Sequence, residues 1–172
     1  YIDAVLGVTK AYVTRVGSGP FPTELNDDIG KLIAERGNEF GSVTGRPRRC
    51  GWFDAILMRR SVFVNSLSSL AIMKLDVLDT LPEIKICTAY HYRGEMIHDL
   101  PMNLCDLQEC DPVYETMPGW QTSTYGITTM NQMPPAAKNY LARLEALCGV
   151  PNDIISTGPE RDQTIVLRQP FA

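Results

Sequence analysis

Short apolar runs of strand length alternate with stretches of helical spacing along this chain, and that alternation restricts it to α/β architecture. Strand-like runs lie at Ser69 to Leu75, Ile84 to Tyr92, Val113 to Thr116 and Asp153 to Ser156, and Thr164 to Leu167 closes the chain as a last strand. Helical spacing marks Asp3 to Arg15 through Val5, Val8 and Tyr12, a second helix from a cap at Thr23 or Asn26 to about Arg36, then Asp54 to Leu67, then Pro134 to Cys148. The last of these has proline at its start and Gly149 just past its end, the asymmetry expected of helix termini. Between Gly37 and Gly51 the periodicity vanishes. Four glycines, a proline and three arginines make this a long loop, and long loops inside compact domains tend to carry function. The expected fold is a mostly parallel sheet with flanking helices over residues 1–172, with no internal boundary, repeat or flexible linker.

At 172 residues, 44% of them hydrophobic and 21% charged, the chain is long enough for one domain with a sizeable core. No apolar run approaches the roughly 18 residues that span a bilayer, and the net charge of -4 argues against a general nucleic-acid or membrane surface. The charge is uneven, however. Five arginines (Arg46, Arg48, Arg49, Arg59, Arg60) face a single acid, Asp54, between Thr44 and Arg60, so a local anion site stands out from an acidic body. Five cysteines form no Cys-x-x-Cys pair, and His91 and His98 stand apart from any cluster of zinc spacing. The expectation is a reduced, cytoplasmic protein without structural zinc. The opening Tyr1-Ile2-Asp3-Ala4 has neither initiator Met nor signal-peptide pattern, so the chain is expected to begin mid-protein, while the apolar strand running into Pro170 looks like a natural end.

Two strand ends carry the candidate chemistry. Ala71 to Asp79 places Lys74 and Asp76 two residues apart where an apolar strand runs out. A carboxylate can accept two hydrogen bonds from the N1–H and exocyclic amine of guanine, a donor pair that adenine lacks, while a lysine stem lies flat along the base. Taken alone, Lys-x-Asp after a strand is also an ordinary solvated strand end or helix cap. The run Asp153 to Pro159 ends in Ser156, Thr157 and Gly158, small groups able to line the same pocket. A phosphate-transferring enzyme also needs Gly-x-x-x-x-Gly-Lys-Ser/Thr. Gly30-Lys31 lacks the earlier glycine, and Gly17-Ser18-Gly19 continues into Pro22, so base recognition stands here without phosphate machinery.

Six segments in order carry a resemblance along nearly the whole chain: Thr14 to Glu24, Gly37 to Gly41, Thr44 to Trp52, Lys74 to Asp79, Tyr114 to Trp120 and Ile154 to Pro159. They resemble the C-terminal part of the adenylosuccinate synthetase family. The resemblance implies the C-terminal part of a larger P-loop-like synthetase fold, with the phosphate loop, the catalytic aspartate and histidine, the magnesium site and most inosinate contacts in the portion before Tyr1. It implies a reaction of IMP, L-aspartate and GTP to adenylosuccinate, GDP and phosphate with Mg2+, in homodimers. By the same resemblance Asp76 accepts from guanine, Lys74 packs along it, and Ser156, Thr157 and Gly158 (within 155–159, as the first pair lies within 73–79) complete the GTP pocket. The loop at about 41–49 resembles a mobile aspartate-binding lid, as its flanking glycines and arginine forks suit. There Arg48 is implied for the substrate carboxylate and among the GTP contacts, Thr44 as a hydrogen-bond donor, and Arg46 as a bridge between aspartate and the inosinate ribose, with Val43 and Gly45 alongside. Val16 resembles a backbone contact to that ribose. Val43 stands where the family commonly has threonine, and Pro47 where it has arginine.

A second reading, of another class, is a non-catalytic guanine-nucleotide-binding or interaction module using the same strand-end pair. The length of the reading frame upstream of Tyr1 separates the two: a long extension with a glycine-rich loop supports the synthetase.

Overall fold

The computed structural model describes residues 2–41, 43, 45–101 and 103–169. In chain order its elements are β1 (Leu6–Lys10), β2 (Val13–Arg15), α1 (Asp28–Arg36), β3 (Arg49–Gly51), β4 (Phe53–Asp54), α2 (Ala55–Asn65), β5 (Ser69–Met73), β6 (Glu83–Tyr92), β7 (Glu95–Ile97), β8 (Asp111–Pro118), α3 (Pro135–Cys148), β9 (Asn152–Ser156) and β10 (Thr164–Val166). Short 3₁₀ turns fill Leu75–Leu78, Leu104–Glu109 and Met130–Gln132.

The first expected helix is absent, and β1 and β2 stand in its place. Val5, Val8, Thr9, Val13, Thr14 and Val16 make this stretch rich in β-branched side chains, which are stiff in a helix and pack well on a pleated surface. Val8, read as an inward helical position, is 71% exposed. What holds β1 extended is its parallel ladder with β5, from Leu6 opposite Ser69 to Lys10 opposite Met73. Gly7 lies so close to the Leu67 side chain that a Cβ there would fall 2.5 Å from its Cδ1.

The helix expected to about Arg36 forms, but its cap is Asp27, whose carboxylate accepts from the Gly30 N–H at 3.0 Å, and not Thr23 or Asn26. In α3 the expected ends hold: proline opens it and Gly149, at φ 76°, closes it with its N–H on the Glu145 carbonyl. Ala137, Tyr140, Leu141, Leu144 and Cys148 form its buried stripe. Among the described residues no helix is long and apolar enough to cross a membrane. The cysteines are free; Cys105 is exposed and the other four are buried.

Contacts group the chain into two compact units, each assembled from separated stretches, which is why no linker marks them in the sequence. The first, from 1–11, 57–84 and 117–172, is built on the sheet β1-β5-β9-β10. Its first three strands are parallel and β10 runs antiparallel to β9. Leu70, Ile72, Leu75, Leu78, Tyr140, Leu144 and Ile155 are fully buried there. The buried Tyr140 hydroxyl is satisfied by the Ala11 carbonyl at 2.7 Å.

The second unit, from 12–56 and 85–116, holds the β2–β3 ladder and the parallel pairing of β4 with β6, to which β7 adds antiparallel. Its core includes Tyr12, Ile33, Phe53, Ile56, Ile86 and Tyr90. Asp54 accepts at one carboxylate oxygen from the Ile56 N–H at 3.1 Å, capping the start of α2, and at the other from the Tyr90 hydroxyl. Burial first, then the Asp54 charge, pushes the Tyr90 pKa up, so that hydroxyl keeps its proton and remains a donor.

Candidate functional site

In the first unit β5 and β9 are parallel neighbours, with Ala71 opposite Ile154 and Ile72 opposite Ile155. Their carboxyl ends therefore finish side by side, where ligands sit in parallel α/β sheets. Lys74 follows β5 at once. Its backbone is left-handed, φ 59° and ψ 39°, an unusual state for a residue with a side chain, and it turns the chain from the strand into the 3₁₀ turn that carries Asp76. Lys74 and Asp76 are both half-buried, whereas Leu75, Val77 and Leu78 anchor the turn in the core. Ser156 ends β9, and Thr157 and Gly158 continue from it. The five residues expected at a base pocket thus come from two adjoining strand ends.

The β9 end is tightly stitched. The Ser156 hydroxyl donates to the Gly158 carbonyl at 2.9 Å, and the Thr157 N–H donates to the Gln163 carbonyl at 3.0 Å. A purine oxygen is an acceptor, so Ser156 must turn its hydroxyl away from Gly158 to serve one. Gly158 is needed for space: a Cβ there would lie 2.1 Å from Gln163 Oε1 and 3.2 Å from the Tyr125 ring. Because the glutamine amide can swing at the loss of its 3.0 Å bond from the Glu160 N–H, Gly158→Ala is expected to lower stability by only about 1 kcal/mol. The shift in a urea midpoint checks this, and a loss above about 3 kcal/mol would show that Gln163 cannot give way.

Residues that sequence reasoning missed frame this site. Asp79, 4% exposed, accepts from Trp120 Nε1 at 2.7 Å, from the Thr124 N–H at 2.7 Å and from the Thr124 hydroxyl at 2.6 Å. The segment it holds reaches the other half: the Gly126 N–H donates to the Thr157 carbonyl at 3.2 Å, and the Thr157 hydroxyl donates to the Ile127 carbonyl at 2.8 Å. One stretch, Trp120 to Ile127, is therefore bonded both three residues beyond Asp76 and between Ser156 and Gly158. The only hint in the sequence was a tryptophan after a Pro-Gly turn, which says nothing about its partner.

The arginine-rich loop belongs to the second unit. It is a hairpin at its root: the Arg48 N–H donates to the Glu39 carbonyl and the Gly41 N–H to the Arg46 carbonyl, each at 2.8 Å, with a bridge between Phe40 and Pro47. Gly45, at φ 64°, supplies the left-handed tip. Val43 is 94% exposed and Gly45 and Arg46 are exposed, while Arg48 is half-buried with Nη1 on Glu39 Oε2 at 2.8 Å. Thr44 lies outside the described residues. Val16 is 78% exposed beside a turn fastened by Arg15 to the Pro20 carbonyl and by Arg49 to the Gly19 carbonyl, each at 2.8 Å. Arg49 also binds Glu24 bidentately, and that hydrogen bonding holds the Glu24 carboxyl below its usual range, against the opposing effect of burial.

A parallel sheet whose strand ends bring together a lysine, a carboxylate and a Ser-Thr-Gly turn is the architecture of α/β proteins that hold a small ligand at the carboxyl edge. Residues 1–165 match the family model of adenylosuccinate synthetase. Adenylosuccinate synthetases of Coxiella burnetii are 61% identical over 171 residues, 99% of this chain and 39% of theirs. Those of Legionella pneumophila are 59% identical over 172 residues, 99% of this chain and 40% of theirs. The solved structure of a fully ligated adenylosuccinate synthetase from Plasmodium falciparum, 38% identical, superposes with a TM-score of 0.91 over 96% of this chain and 40% of that one. The chain belongs to the adenylosuccinate synthetase family, and it spans about 40% of the length of these relatives.

Proposed function

We propose that this chain is the guanine- and aspartate-recognising C-terminal segment of an adenylosuccinate synthase, a GTP-dependent carbon–nitrogen ligase of AMP biosynthesis. The parent protein joins L-aspartate to IMP with release of GDP and phosphate, as a cytoplasmic homodimer. The observation that carries this reading is the meeting of Lys74 and Asp76 with Ser156, Thr157 and Gly158 at two adjoining strand ends.

In this reading Asp76 accepts from the N1–H and amine of guanine, the Lys74 stem covers one face of the ring, and the turn at Ser156–Gly158 meets the 6-oxygen. The loop at 41–49 closes over L-aspartate, with Arg48 on a carboxylate of the substrate and Thr44, Gly45 and Val43 alongside. Arg46 and the Val16 backbone face the inosinate ribose. Arginine suits both tasks because its planar fork matches a carboxylate. Among the described residues no three acidic, imidazole or thiol side chains converge as a metal site. In this proposal the Mg2+ ligands belong to the rest of the parent protein together with the phosphate loop.

The test is product formation by the intact parent protein with IMP and L-aspartate, using GTP or ATP as donor. Adenylosuccinate with GTP and little with ATP is the expected result. No product, or equal use of ATP, would overturn the reading.

A further inference from the structure

Glu39 has no exposed surface, and a carboxylate held that deeply must be paired on both oxygens to be tolerated. It is: the Tyr12 hydroxyl donates to Oε1 at 2.6 Å, and Arg48 Nη1 donates to Oε2 at 2.8 Å. We infer that Glu39, backed by Tyr12, is the positioning residue that aims the Arg48 guanidinium for the carboxylate of L-aspartate, an inference that rests on the reading of Arg48 given above.

The surroundings favour this over simple packing. Glu39 holds Arg48 twice, through its side chain and through its own carbonyl, which accepts the Arg48 N–H at 2.8 Å. Its own N–H is fixed on the Ala34 carbonyl at 2.8 Å, at the end of α1, so the anchor is rigid. Tyr12 is 2% exposed, and its hydroxyl takes the space a side chain at Gly37 would occupy, since a Cβ there would lie 2.3 Å from it. Beyond this fixed root the tip at Val43, Gly45 and Arg46 is exposed. A guanidinium has five donors in a planar fork; Nη1 reaches Glu39, and the side chain keeps 33% of its surface exposed. Fixing one arm of the fork before the substrate arrives removes an ordering cost from binding.

The experiment is steady-state kinetics on the intact parent enzyme carrying Glu39→Gln, Tyr12→Phe or Arg48→Ala. Glu39→Gln is expected to raise KM for L-aspartate about tenfold, the loss of one charge-assisted hydrogen bond, while kcat and KM for IMP stay within about twofold. Tyr12→Phe is expected to shift the same constant about threefold, and it provides the measurement if the glutamine variant does not fold. An aspartate KM unchanged in the folded variants, with Arg48→Ala raising it, would overturn the positioning role alone. A parallel loss in kcat and every KM would also overturn it, as the mark of a merely structural residue. An aspartate KM unmoved by Arg48→Ala would overturn the reading of Arg48, and this inference with it.

Discussion

Asp76→Asn in the intact parent protein is expected to weaken GTP by about two orders of magnitude. The carboxylate offers acceptors to both guanine donors, and the amide replaces one of them with an N–H that opposes the purine amine. Hydrogen bonds to a charged group contribute roughly 1.5–3 kcal/mol each, so losing one and setting two donors face to face costs about 3 kcal/mol. Asp76 is half-buried on a turn whose neighbours Leu75, Val77 and Leu78 are core residues, so the turn cannot drift to restore the contact. The same logic predicts a gain for a xanthine nucleotide, which carries an oxygen where guanine carries the amine. Titration of GTP and xanthosine triphosphate against the variant checks both. Unchanged GTP affinity would remove Asp76 from the base.

Asp79→Ala is expected to cost about 3–5 kcal/mol of stability, read as the shift in a urea midpoint at constant slope. Three bonds of 2.6–2.7 Å end on this carboxylate at 4% exposure, and its removal strands the Trp120 indole N–H and the Thr124 N–H in the interior. Because Trp120 to Ile127 also bonds Thr157, the damage spreads to the β9 end of the candidate pocket, and GTP affinity is expected to fall along with stability. A loss below about 1 kcal/mol would show that the segment does not depend on Asp79.

These two aspartates, three residues apart, differ in how far they were legible. Asp76 could be singled out as a candidate because a strand end with a lysine two residues before it can complement guanine, a reading that the family resemblance raised above an ordinary strand end. Asp79 could not, because its partners lie 41 and 45 residues away and nothing in its neighbours selects them. The residues of the arginine-rich loop divide the same way. Glycines and arginines announce a loop that attracts anions, whereas the Tyr12–Glu39 pair beneath Arg48 spans 27 residues and has no local signature.

The elements follow the same rule. Capping and periodicity suffice for α3, whose proline start and glycine stop act within a few residues, and for α2 and the apolar strands β5, β6 and β9. They fail at Asp3 to Arg15, where apolar residues at helical spacing were outweighed by β-branched content and by a partner strand more than 60 residues on. From its own letters this chain determined α/β class, an anion-attracting loop and a strand end able to face guanine, and through its resemblance to a known family it indicated that family and the candidate contacts of an aspartate site, since these rest on order along the chain. Only the tertiary structure decided that β1 is a strand, that β5 and β9 end side by side, and that buried carboxylates at Glu39 and Asp79 hold the surrounding segments in place. Ladder pairing and the satisfaction of a buried charge depend on groups distant in sequence, and their partners are chosen only when the chain has closed upon itself.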